Sequence, residues 1–312
     1  MRRKIKFHPD ALHHIYSISL DGGVIFYNAY DYVVFFTIMS VCARRYNLGI
    51  EEVCIMRNHF HLGVMSKRNI DISRFMMTLL NIYAREYNSR SGVMKIKFKH
   101  GYGRADKLGE KERRSCIIYI VNNGVEKKAC SNAMEYRWNF LKYMGNAHPY
   151  SHPIIVRKLS LEMKKAISIV NTANCRGDYI RYSFFEAVMP KLRKDERLQL
   201  IDYIISKYNI IEYERMMSHF KDVSSFFVAV ESSTGKEFDV GEEFVYEDYR
   251  CYDLLENIAK RKRLFRAAGQ LIVSENEMRG LEREYIERCG HVGLELGRFL
   301  HRFSNVLKDS VL

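Results

Sequence analysis

No stretch of this 312-residue chain is apolar over the roughly 20 residues that a membrane helix needs. The opening residues, MRRKIKFHPD, are basic but lack the apolar core of a secretion signal. Cysteine is present without a pattern: there are seven, an odd number with no CxxC pair. That argues against both a disulfide framework and a cysteine zinc site. Proline is scarce, with four in all; two of them fall in AHPYSHP, at 149 and 153, which makes this segment the best candidate linker. No internal repeat is visible. Acidic residues are thin in one half only. Residues 1–150 hold 24 Lys and Arg against 12 Asp and Glu, and the remainder 26 against 25, so the first half carries nearly all of the net charge of +13. The cysteines suit a reduced, cytoplasmic (nucleoid-associated) setting, and the basic half suits a polyanionic partner.

What is present is an alternation of short strands and longer helices. Hydrophobic residues make up 47% of the chain, enough for a packed core, and the length exceeds that of most single domains. LHHIYSIS (12–19) alternates like a strand, and GVIFY after DGG reads as a second strand following a turn. DYVVFFTIMSVCARRY (31–46) reads as a buried helix with Asp31 at its N-cap. IEEVCIM and HFHLGVMS read as two more strands. DISRFMMTLLNIYAREYNSRSG is a helix between Asp71 and Gly92. VMKIKFKHGYG alternates apolar residues with lysine, and EKERRSCIIYIVNNGV is a further helix.

This order predicts an α+β fold, an antiparallel sheet with helices on one face, with a domain boundary near 150. Residues 151–312 read as a mainly α-helical extension. It is broken by SSFFVAVESSTGKEFDVGEEFVYEDY, which reads as strand-like runs around a turn, or as loop. Near 270–305 lies a candidate helix-turn-helix, for which an ordinary helical hairpin is the alternative. KRKRLFR (260–266) is a second basic cluster.

The sharpest local signal is His59-Phe60-His61. Alternate residues of a strand share a face, so the two imidazoles project together, ~6–7 Å apart along the strand, and can share one cation. The alternative is a pair of packed core histidines. A cation needs at least one more ligand, which the pair itself does not name. Lys95, Lys97 and Lys99 alternate along one strand face, with Arg104 close behind. They suit a phosphate-lined groove, or simply an exposed edge kept from aggregating.

MRNHFHLGVM resembles the Met-Pro-Asn-His-Phe-His-Leu stretch of the single-tyrosine HUH transposases, the IS200-like and REP-associated group. HHIYSISLDGGVIFYNAYDYVVFF is similar to that family's opening strand, turn and first helix. SRFMMTLLNIYAREYNSRSG resembles its helix ending in Tyr-Asn and Gly, IIYIVNNGV its Tyr-Ile-x-x-Asn-Pro-Val, and EYRWNF its Tyr-x-Trp-Ser-Ser. Together these cover about residues 5–145. The resemblance implies a ferredoxin-like HUH catalytic domain in which Tyr119 is the nucleophile and His59, His61 and Asn123 hold a divalent metal, Mg2+ or Mn2+. Residues i and i+4 of a helix share a face, which is consistent with Tyr119 and Asn123 acting at one ion. Tyr83 and Tyr87, also helical, are the other candidate nucleophiles.

The implied activity is cleavage and rejoining of single-stranded or hairpin DNA through a 5′-phosphotyrosine link, by a chain that acts alone or as a homodimer. Two departures stand out: Arg57 replaces the family's first proline, and Gly124 its second, where glycine is expected to loosen the end of the catalytic helix. The alternatives are a DNA-binding regulator of the same fold that does not cleave, and a replication-type HUH nickase.

Overall fold

The computed structural model describes residues 6–19, 25–26, 28–91, 98, 101–233 and 258. Strands β1 (Leu12–Ile18), β2 (Gly49–Ile55), β3 (His59–Met65) and β4 (Gly103–Lys107) form one antiparallel sheet in the order β2-β3-β1-β4. β1 and β2 both pair antiparallel with β3, which lies between them, so the topology is a split β-α-β arrangement. Helix α1 (Ala29–Arg45) joins β1 to β2, and α2 (Asn69–Ser91) joins β3 to β4. α3 (Glu110–Glu126) follows β4. Further helices are α4 (Leu161–Arg176), α5 (Tyr182–Val188), α6 (Lys194–Tyr208), α7 (Tyr213–Ser218) and α8 (Val223–Ser232). The chain is thus α+β with a helical extension.

Strand alternation sorts the two faces of the sheet. Ile15, Val53, Ile55, Phe60, Leu62 and Val64 join one core with residues of α1 and α2. Their neighbours in sequence, including Leu12 and Cys54, face the other way and pack with α3, α7 and α8. The expected single helical face therefore describes α1 and α2, while α3 covers the opposite face. Packing there buries the apolar middle of α3, where Cys116 to Gly124 are all buried.

α1 is buried continuously from Asp31 to Ala43 because the sheet lies under it while α5 and α6 pack on it as well. Its N-cap is Asn28. Asp31 sits three residues in and returns the bond, Asn28 N donating to Asp31 Oδ2 at 3.0 Å. The cap expected at Asp31 is thus one half of a capping box.

Three further expectations change. Ile25 and Phe26, the described part of GVIFY, are not in a strand; both amides donate to the Arg57 carbonyl, at 2.7 and 2.9 Å. Strand β4 starts at Gly103, the last residue of VMKIKFKHGYG, and of the rest of that stretch the described Phe98 makes an isolated bridge to Ser19. The beginning of the stretch read as strand or loop is helix α8. There Phe226 and Val230 are buried at helical spacing, and Asp222 Oδ1 caps the Ser225 amide at 2.7 Å. Lys95, Lys97, Lys99, the KRKRLFR cluster and the candidate helix-turn-helix at 270–305 lie outside the described residues.

Candidate active site

The face of the sheet beneath α3 carries an unusual set of polar side chains. The β1–β3 and β2–β3 registers put Cys54, His61 and Tyr16 in one row, and Glu52, Gly63 and His14 in the next. His14, Glu52, His59 and His61 are all buried, at 2% exposure or less. Asn123 and Tyr119, one turn apart on α3, look down on this face. The Tyr119 ring centre is 5.4 Å from that of His61 and 5.8 Å from that of His14. The rings of His59 and His61 are 5.0 Å apart and nearly perpendicular.

Both rings of the pair are held at Nδ1. His59 Nδ1 donates to Asn58 Oδ1 at 2.7 Å, and its Nε2 faces Asn123 Oδ1 at 3.2 Å. His61 Nδ1 shares a proton with His14 Nε2 at 3.0 Å. Burial pulls the pKa of His14 and His59 down to about 3, with Lys107 and Lys127 respectively pushing the same way. Burial lowers His61 well below its ordinary value, helped by its histidine neighbours and Lys127. All three imidazoles are therefore neutral at physiological pH. A neutral His59 that donates from Nδ1 turns the Nε2 lone pair toward the carbonyl oxygen of Asn123. Two acceptors facing each other in a dry site favour a cation between them.

Among the described residues no group of three or more His, Cys, Asp and Glu is arranged to hold a metal, so any such centre has to draw on the Asn123 amide. The residues present fit one: two neutral imidazoles oriented by second hydrogen bonds, plus an amide oxygen. Mixed nitrogen and oxygen donors are compatible with Mg2+ or Mn2+.

Asn123 is fixed from behind. Its Nδ2 donates to Glu126 Oε2 at 3.5 Å. The next residue, Gly124, lies against the Tyr136 ring so closely that an added Cβ would meet Tyr136 Cγ at 2.8 Å. Tyr136 in turn donates its hydroxyl to the Ile55 carbonyl at 2.9 Å, tying the end of α3 to the end of β2. Glycine at this place therefore seats the helix on the sheet rather than loosening it, and α3 runs through it to Glu126.

The structure brings His59, His61, Tyr119 and Asn123 together. Tyr119 is only 3% exposed. Arg104 lies apart from them. It pairs across β1 with Ile15 on the α1–α2 side of the sheet, binds Asp106 at 3.0 Å, and leaves 8% of its side chain exposed. Tyr83 belongs to the core around α1 and α2, as does Tyr87. Sequence reasoning missed His14, Asn58 and Glu52. Asn58 is adjacent to the motif, and His14 is the member of His13-His14 that shares a face with Tyr16, but only the strand register shows which residue each one meets.

The model of a family described as "Transposase IS200 like" matches residues 24–123, a span that ends on Asn123. No curated protein matches the chain, and no solved structure does. Among the described residues no helix is long and apolar enough to cross a membrane. Residues 24–123 therefore carry a likeness to the IS200-like transposase family.

Proposed function

We propose that the chain cleaves and rejoins single-stranded or hairpin DNA through a covalent link to Tyr119, with Mg2+ or Mn2+ held by His59, His61 and Asn123. The observation that carries this reading is the convergence of four residues from one strand and one helical turn: the Tyr119 ring 5.4 Å from His61, and Asn123 Oδ1 3.2 Å from His59 Nε2. When bound, the ion would polarise the scissile phosphate and offset charge on the departing oxygen. The Tyr119 oxygen attacks phosphorus, a Tyr–O–P bond forms, and the P–O3′ bond breaks. The phenol loses one proton and the 3′ oxygen gains one, so the exchange is neutral overall. The phosphodiester's energy is kept in the new bond, and a 3′-OH can reverse the step on the same or another strand.

Asn58 and His14 orient the pair, each holding one ring at Nδ1. Lys95, Lys97 and Lys99 remain candidates for phosphate contacts. Arg104 reaches DNA only if the strand also passes the α1–α2 side. In this reading residues 1–150 carry the chemistry, residues 151–312 support it, and a homodimer is the candidate assembly.

With Tyr119 3% exposed, the substrate meets it only when the groups that cover it move aside. The same burial favours the second reading, a DNA-binding regulator that does not cleave. One assay separates the two. The protein is incubated with hairpin DNA and Mn2+, and an SDS-resistant protein–DNA adduct is sought. The catalytic reading expects an adduct in the wild type, none in Tyr119→Phe, and none after chelation. DNA binding with no adduct on any flanking-end sequence would favour the regulator.

A further inference from the structure

Beside the candidate centre lies a cavity of about 350 Å3, walled by Phe26, Arg57, Lys127, Lys128, Tyr136 and Trp138. Three of these are cations, one of them, Lys127, paired with Glu126, and none of the described lining residues is a carboxylate. Its ligand is therefore anionic, and the aromatic walls ask for a flat ring attached to that anion. The walls are preformed. Trp138 is stacked on Tyr32 at 4.2 Å between ring centres, and Tyr136 is anchored through its hydroxyl to Ile55. The chain leaves α3 through Lys128 in the left-handed region, φ 57°, and the Ala129 amide returns to the Gly124 carbonyl at 2.8 Å. This turn delivers two successive lysines to the rim.

Two structural links join the cavity wall to the candidate centre. Arg57 precedes Asn58 and His59 on the turn into β3. On the other side Glu126 accepts from both Asn123 and Lys127, linking the amide beside His59 to the cavity wall. We propose that this pocket binds one nucleotide of the substrate strand flanking the cleavage point, its phosphate on Arg57, Lys127 and Lys128 and its base against Tyr136 and Trp138. The inference rests on the DNA-processing reading above and deepens it: the pocket selects which nucleotide stands next to the scissile phosphate.

The test uses the full chain in EDTA, where neither metal nor cleavage takes part. Binding of each of the four deoxynucleoside 5′-monophosphates, and of inorganic phosphate, is measured by ligand-observed NMR. At least one nucleotide is expected to bind more tightly than phosphate. Arg57→Gln and Lys128→Gln should each weaken it by roughly tenfold, the size of one charge-assisted hydrogen bond. Melting curves establish that each variant is folded, and either of the two charge variants suffices. Absence of nucleotide binding by the wild type overturns the proposal. So does phosphate binding as tightly as every nucleotide, or full affinity in both charge variants. Nucleotide binding without a Tyr119 adduct would leave the pocket standing and sink the catalytic reading, and an adduct without nucleotide binding would do the reverse.

Discussion

Glu52 is the residue whose chemistry is most exposed to experiment, because neither of its carboxyl oxygens has a hydrogen-bond partner in the described structure. Burial, and then the charge of Glu51, raise its pKa well above the ordinary 4.5. A raised carboxyl favours folding fully below its unfolded value and loses that contribution as pH climbs toward the folded one. Glu52→Gln should therefore melt higher than the wild type at pH 8, and the advantage should shrink on acidification by about 1.4 kcal/mol per pH unit. The three buried histidines work in the opposite direction. Their folded pKa values lie below 6.5, so the unfolded chain takes up protons first, and stability falls as pH drops through 6.5. Between pH 6.5 and 4.5, calorimetry in EDTA should show a steeper loss for Glu52→Gln than for the wild type; equal slopes would mean that Glu52 is not neutral in the folded state.

His14 belongs to the same scale. Removing the partner at His61 Nδ1 should weaken Mn2+ binding by about 10–100-fold, read by EPR without any DNA, and His14→Gln should recover part of the loss. A His14→Ala protein that binds Mn2+ like the wild type would leave the histidine a packing residue.

At the scale of elements, α3 is held between partners on both sides. Gly124→Ala tests how. Alanine ordinarily favours a helix over glycine by about 1 kcal/mol, but here the new methyl would meet Tyr136. The ring has to move, and its bond to Ile55 goes with it. The expected result is a lower melting temperature, opposite in sign to the propensity, and Tyr136→Phe should cost about 1 kcal/mol by loss of that bond alone. A Gly124→Ala protein that melts higher would show that the ring yields freely.

The elements also show what the sequence could and could not convey. Spacing along the chain made two histidines on one strand face legible, and it agreed with the phenol and amide, one turn apart, that the resemblance singled out. What depends on pairing was not legible. His14 meets His61 across 47 residues, through a register that no local pattern encodes. Glu51 and Glu52 lie in the strand read at IEEVCIM, and both are buried, one against Arg215 and His219 and the other over Gly63. The cap at Asn28 was hidden because Asn28 and Asp31 both suit a helix start, and in a capping box both take part.

At the scale of the molecule, the helices after residue 160 share the core of the sheet. The Ile180 amide donates to Thr37 Oγ1 at 3.1 Å and Tyr182 to Asp31 Oδ1 at 2.6 Å, both on α1. The Glu212 amide donates to the Ile50 carbonyl at 2.8 Å. The proline-containing segment is packed as well, with the Tyr150 amide on Asp202 Oδ2 at 3.0 Å. Expressed alone, residues 1–150 would bare the outer side of α1. Such a fragment should be poorly soluble and melt well below the full chain; a soluble fragment of equal stability would show that the chemistry needs no support from the extension.

His219 completes that attachment, bridging Glu51 on β2 and Glu110 on α3 at 2.9 Å each. Arg114 on α3 donates to the His219 carbonyl at 3.1 Å, and Asn122 to the Val230 carbonyl at 3.0 Å. The segment that bears Tyr119, the proposed nucleophile, is thus fastened at its front to a histidine and near its back to the last described helix. Freeing Tyr119 is for that reason a collective event, and the rate of strand cleavage ought to register changes at residues 213–232 as readily as changes at the histidines themselves.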